Sequence, residues 1–301
     1  MIRRGIAMTT AFLATLTFFV VQAHGQQRIA SVQGFTGDVE LEHSAQIIKP
    51  IKLGKIIRNG DVFDSDTVRT RKGQADLLVV DGSVVKMDQN TALYMGFEAM
   101  QPAPGTTAPP ADRKFRVIAG RIWADVKPSR TSTTKFELPD GVAAVRGTVV
   151  EFGVTGAKDW DASVDRGVMS LTQTTANAQM SLSSGDKFGS GRTEGETSRF
   201  SNLGNGAFDV LLADGSRVSE FDPTEMIDVT RHPDGTYRLF ALRGGFFYTT
   251  AAGRRMRISQ GGSVESGQAQ PGPAGAAPAG HTGGGSGGGP TSNNDMHQPM
   301  E

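Results

Sequence analysis

Gly73-Gln74-Ala75-Asp76-Leu77-Leu78-Val79-Val80-Asp81-Gly82-Ser83-Val84-Val85-Lys86-Met87 is the stretch whose reading decides the fold. Up to Val80 nearly every second residue is apolar, the period of a half-buried strand. Asp81-Gly82 suits the positive φ angles of a tight hairpin turn, and Ser83 to Met87 reads as the return strand. The same pattern recurs at Leu211-Leu212-Ala213-Asp214-Gly215-Ser216-Arg217-Val218, and more loosely at Pro233-Asp234-Gly235-Thr236. A chain that turns this often, with few helical periods between, is predicted to be all-β. The arrangement expected is a β-solenoid-like roll of short hairpins, with a β-sandwich as the alternative.

Composition narrows the function classes. Lysine plus arginine (31) balances aspartate plus glutamate (31), which argues against nucleic acid as a partner. There is no cysteine, hence no disulfide, thiolate metal site or cysteine nucleophile. Residues 1–25 read as a signal peptide: Arg3 and Arg4, an uncharged apolar run from Ile6 to Val21, then small residues around Ala23-His24-Gly25. The run is short for a membrane span, so the expectation is a periplasmic or secreted protein without stable membrane insertion after cleavage.

Strand signals fill residues 26–190. Ile29 to Val32 and Val39 to Leu41 are expected to pair around Gly34 to Gly37, and Ile47 to Ile57 to form an edge strand plus loop. Residues 101–113, rich in proline, are expected to be a flexible insertion. Residues 191–206 are small and polar and read as a linker. Residues 207–264 read as a smaller β segment, a possible degenerate repeat of the first. Residues 265–301, rich in glycine and proline, are expected to be a disordered tail.

Gly60-Asp61, the run Gly73-x-Ala75-x-Leu77-x-Val79-x-Asp81-Gly82-Ser83-x-Val85, Gly120-Arg121-Ile122-Trp123, Ala144-Val145-Arg146-Gly147-Thr148, Arg166-Gly167-Val168 and Leu182-x-x-Gly185 resemble, in order, a FecR domain. The resemblance covers about Arg28 to Phe188. It implies an envelope setting and partners among envelope proteins. Only Met1 to Gly5 precede the apolar run, so the anti-sigma segment of regulatory family members is not expected here. The residues marked by the motif are Gly60, Asp61, Asp81, Gly82, Ser83, Gly120, Arg146, Gly147, Thr148, Gly167 and Gly185. Their expected roles are structural, with glycines at bends and Arg146 at least partly buried between a small apolar strand and Gly147.

Reactive constellations are sparse. His43 and His232 stand far apart and read as surface residues rather than metal ligands. Gly284-Gly285-Ser286-Gly287-Gly288 mimics a nucleophile elbow but lies in the low-complexity tail. Asp61, Asp64 and Asp66, and Asp159, Asp161 and Asp165, read as solvated loop carboxylates, with calcium binding as the alternative. Trp123, Trp160, Tyr237, Phe246, Phe247 and Tyr248 could form an aromatic platform, although Phe247 must face opposite to its two neighbours on a strand. Arg254-Arg255-Met256-Arg257, flanked by Arg243, reads as one solvated hairpin face. No cofactor is expected. The chain therefore reads as a non-enzymatic binding or scaffolding module whose partner is an envelope protein or a cell-wall or surface polysaccharide. The alternatives are an envelope-signalling component working with a separate membrane partner or sigma-factor system, and a polysaccharide-active enzyme.

Overall fold

The computed structural model describes residues 27–43, 51–52, 60–98, 112–156, 159–192 and 196–267. Among these residues there are 24 strands and no helix, so the all-β expectation holds. The signal-peptide reading, most of the proline-rich insertion and residues 268–301 lie outside the described residues.

The strands lie in two hydrogen-bonded sheets. β1 (Arg28–Thr36) belongs to the first sheet, β2 (Val39–His43) and β3 (Ile51–Lys52) to the second, where β3 is the edge among the described residues. β4 (Gly60–Phe63) pairs with β1, and β5 (Asp66–Thr70) with β2. The expected β1–β2 hairpin does not form, because each strand pairs with a later one in its own sheet. β6 (Gln74–Val79) and β7 (Val84–Met87) make the Asp81-Gly82 hairpin with Leu77 opposite Val85, and β6 also lines β1. β8 (Ala92–Glu98) lies in the second sheet against β5.

β9 (Asp112–Asp125) serves both sheets. Its first half pairs with β8 and its second half with β7. The crossing is made at Gly120, where φ is +82° and a Cβ would lie 2.5 Å from Thr91 Cα, so only glycine fits. The Thr91 hydroxyl fastens the bend, accepting from the Arg121 N–H at 3.0 Å and donating to the Arg121 carbonyl at 3.1 Å.

Beyond β9 hairpins are laid down alternately. β10 (Thr134–Leu138) and β11 (Gly141–Val145) go to the second sheet, β12 (Val149–Val154) and β13 (Trp160–Arg166) to the first. β14 (Val168–Gln173) and β15 (Ala178–Ser183) return to the second, β16 (Lys187–Arg192) and β17 (Thr197–Asn202) to the first. β18 (Phe208–Leu212) and β19 (Arg217–Phe221), then β20 (Met226–Arg231) and β21 (Tyr237–Arg243), continue the alternation. β22 (Phe246–Thr249) and β23 (Arg255–Ile258) end the second sheet, and β24 (Ser263–Glu265) ends the first. From β14 on, each new hairpin lays its first strand along the second strand of the hairpin two before it. Both sheets grow together along one continuous buried core.

The core is an aromatic row crossing between sheets. Phe136 of β10 meets Phe152 of β12 at 4.8 Å between ring centroids, and Phe188 of β16 meets Phe208 of β18 at 6.2 Å. Phe200 of β17, fully buried, stacks edge-on against Phe188 at 5.2 Å. Several expectations are corrected here. The stretch 191–206 holds β17, whose alternation of buried and half-exposed residues was hidden by its small polar composition. Strands β18 to β24 extend the same two sheets rather than starting a separate segment. Asp112 and Arg113, placed in the insertion, begin β9 and are buried. Glu265 and Ser266, placed in the tail, belong to the body: Glu265 pairs with Arg238 in the sheet and buried Ser266 accepts the Tyr237 N–H at 2.7 Å.

Candidate binding cleft

Strand alternation sets what each sheet shows to solvent. On β9 the side chains of Phe115 and Val117 enter the core, so Lys114, Arg116 and Ile118 face outward. On β10, paired parallel to β9, Phe136 and Leu138 enter the core and Lys135 and Glu137 face outward. The register sets Glu137 opposite Arg116. Glu137 accepts from Arg116 at 2.8 Å and from Lys114 at 2.6 Å. Burial pushes its carboxyl up, but the hydrogen bonds from Lys114 and Arg116 outweigh this and hold it below the usual range. The Arg116 guanidinium also lies 5.6 Å from the centre of the Tyr94 ring.

Past Arg116 the two strands part, because β9 runs on to its bend while β10 ends at the Pro139-Asp140-Gly141 turn. The parting opens a cleft of about 510 Å³. Its floor is Val117, Leu138 and Gly141; its rim is Ile118, Pro139, Val142 and Thr174; the Arg116–Glu137 pair forms one wall. Ile118 is 43% exposed, an uncompensated apolar group beside a fixed charge pair. Such a mixture of apolar floor and oriented polar groups suits recognition of a ligand segment.

The first sheet's outer face is different in kind. Arg121 of β9 reaches over Gly153 to bond both Glu151 and Asp161, and Lys187 of β16 closes on Asp161 at 3.1 Å. A side chain at Gly153 would collide with the Asp161 and Arg121 groups. Trp123, half-exposed, lies under Lys86 at 5.2 Å and donates to Asp165 at 3.2 Å. This face is a ladder of mutually neutralised charges.

The motif residues expected from the sequence fall mainly into turns and ties. Asp81 accepts from the Ser83 N–H at 3.0 Å and the Ser83 hydroxyl at 2.9 Å, and the same hydroxyl accepts the Lys127 N–H at 2.9 Å. Asp214 with Ser216, and Asp234 with Thr236, repeat the device. Asp81 also pairs with buried Arg113, so the turn is latched to the start of β9. Burial pushes the Asp81 carboxyl up, yet the Ser83 and Arg113 hydrogen bonds and the Arg113 charge outweigh it and the net shift is downward. Gly60 is buried at the start of β4, and Asp61 pairs with Arg28 at 3.2 Å. Thr148 donates to the Val168 carbonyl at 3.0 Å; Gly167 and Gly185 sit in turns, the first donating to Ser184 at 3.0 Å and the second to the Val164 carbonyl at 2.7 Å.

Arg146 departs from expectation. It is exposed and donates to Thr133 at 3.0 Å, because Val145 takes the inward position and alternation turns Arg146 out. The acidic triplets are not loops of convergent ligands. Asp61 and Asp66 lie in β4 and β5, Asp161 and Asp165 in β13, and Asp64 and Asp66 accept backbone N–H groups of Phe97 and Phe63. Trp160, Tyr237, Phe246 and Tyr248 are buried core, whereas Phe247 faces outward as alternation required. His232 lies 3.4 Å from Glu265; the side chain of His43 lies outside the described residues. A polar tie that the sequence did not reveal joins the sheets: Asp140 accepts from Trp160 and, at 2.6 Å, from Gln173, which also donates to Ser198 at 3.0 Å. All three partners are separated from Asp140 by 20 residues or more.

Residues 66–170, roughly a third of the chain, match the FecR protein family. They contain the Asp81 latch, the Gly120 bend and nearly all of the cleft. A comparison with curated proteins gives no match. Among solved structures, two crystal structures of a candidate anti-sigma factor from Parabacteroides distasonis are similar to this chain. They are 14% and 16% identical to it, with TM-scores of 0.36 and 0.35. The similar part covers 45% and 44% of this chain and 59% and 57% of those chains, so the chain spans less than two thirds of their length.

Proposed function

We propose, on the premise that residues 66–170 are a FecR domain, that this chain is an exported, non-enzymatic binding module of the cell envelope, periplasmic in residence, whose FecR domain grips a segment of a partner protein. The observation that carries the reading is the cleft opened by the parting of β9 and β10, where exposed Ile118 stands beside the Arg116–Glu137 pair. The carboxylates that could have served acid–base chemistry support it. Glu137 on the outer face of the second sheet, and Glu151, Asp161 and Asp165 on that of the first, are each engaged with arginine, lysine or tryptophan donors.

A second reading, an envelope-signalling component that works with a separate membrane partner, is favoured by the FecR match itself. It uses the same cleft and differs only in the partner.

The test is affinity capture of the tagged protein after cross-linking in envelope extracts, comparing wild type with Ile118→Asp and Val142→Arg. Both side chains face solvent, so the variants should keep the wild-type unfolding midpoint. Loss of one specific cross-linked protein in both variants is the expected result. Identification of that protein as a membrane receptor or sigma-system component selects the second reading. Identical captured sets in wild type and variants would remove the cleft as the binding site.

A further inference from the structure

The far end of the second sheet carries a feature independent of that cleft. From Arg243 to Ile258 the chain holds four arginines and no acidic residue, although the whole chain is neutral. β23 is the last strand of the second sheet, pairing only with β22 among the described residues. The Thr250 N–H donates to the Arg254 carbonyl at 2.9 Å, which makes that pair a hydrogen-bonded one. In an antiparallel ladder the pairs alternate, so Tyr248–Met256 is hydrogen-bonded and Phe247–Arg257 and Thr249–Arg255 are not. The N–H and C=O groups of Arg255 and Arg257 therefore point away from β22, along the open edge.

Their side chains share one surface. The Arg255 and Arg257 guanidiniums lie 4.1 and 5.5 Å from the centre of the outward-facing Phe247 ring. Arg255 has Glu220 as a partner at 2.8 Å, whereas Arg257 makes no ion pair among the described residues. Met256 and Ile258 point the other way and pack against the core while still partly exposed at the edge. The edge thus presents cation, apolar, cation, apolar, with the backbone groups of the two cationic residues unpaired among the described residues.

We propose that β23 receives an extended peptide of alternating acidic and apolar residues as an added strand. Acidic side chains would stand opposite Arg255 and Arg257 on the outer face, and apolar ones would lengthen the core beside Met256 and Ile258. A second copy of this chain is disfavoured as the occupant, since β23 against β23 opposes arginine with arginine.

The experiment is fluorescence anisotropy of the full mature chain with a labelled (Glu-Val)₄ peptide. Saturable binding is expected, weakened by about tenfold or more in Arg255→Glu/Arg257→Glu. That double variant should instead bind a (Lys-Val)₄ peptide that the wild type rejects. A (Glu-Val)₄ peptide methylated at alternate backbone nitrogens keeps its charge but cannot pair, and it should not bind. No binding of the unmodified peptide would overturn the proposal. So would equal binding of the methylated peptide or displacement by anionic phospholipid vesicles, either of which would show charge attraction without strand addition. Because Ile118 and Val142 are absent from this edge, failure here leaves the cleft reading standing, and the reverse.

Discussion

At the scale of single residues, backbone geometry and one buried charge decide most. Gly147 has φ +70°, and a Cβ there would sit 3.1 Å from the Pro128 ring. A β-branched side chain is strained at that φ and also crowds the loop that returns from β9 to β10. Gly147→Val should cost about 1–3 kcal/mol, lowering the thermal midpoint by several degrees in a differential scan. An unchanged midpoint would show that the bend tolerates a side chain. Asp81 gives a pH signature. Its folded-state pKa lies below the ordinary value of 3.8, so its contribution is fully present above that value. It is lost as pH falls further and the carboxyl protonates beside Arg113. Asp81→Asn should destabilise by about 1–3 kcal/mol at neutral pH by leaving a buried guanidinium without its counter-charge, discounted for the partial exposure of Asp81. Urea titrations between pH 5 and pH 2 should show wild type and variant converging as pH drops. Parallel curves would mean the latch carries no charge energy.

At the scale of elements, what could be read from the sequence depended on how local the cause was. The Asp81-Gly82-Ser83 and Asp214-Gly215-Ser216 turns were legible because the hydrogen bonds that close them lie within four residues. The outward turn of Phe247 followed from alternation alone. Pairing was not legible: β1 joins β6 rather than β2, and no local signal announces partners that, from Thr36–Gln74 to Ala30–Val79, lie 38 to 49 residues apart. The cleft was equally hidden, since it arises where parallel β9 and β10 part, a relation of two strands joined by a non-adjacent return. β17 was missed because serine, arginine and asparagine surround its one large apolar residue, Phe200. That element supplies its own test. If 191–206 were a linker, Phe200→Ala would be neutral. Buried between β16 and β20 and stacked on Phe188, it should instead cost about 3–5 kcal/mol, measured as a fall in urea midpoint with unchanged slope.

At the scale of the whole molecule, the segment that matches the FecR family is not a structural unit by itself. β6 needs β1, β5 needs β2, β13 needs β16 and β14 needs β15, and every one of those partners lies outside residues 66–170. The core crosses the same boundary: Trp160 stacks on Phe188 at 5.4 Å, and Gln173 and Ser198 complete the polar tie from Asp140. Cutting the chain at 66 and 170 would leave four strands with newly bared edges and remove aromatic contacts from one end of the core. Interfaces between stacked units, rather than the units alone, supply the stability of such an array. The isolated 66–170 fragment should therefore lack a sharp near-ultraviolet circular dichroism signal and unfold in urea without a cooperative transition. The full body should show one transition, because its sheets run without interruption from β1 to β24. A fragment that unfolds as sharply as the full chain, at a comparable midpoint, would mean that the flanking strands merely decorate an independent domain, and that the cleft between β9 and β10 could be studied apart from the β23 edge.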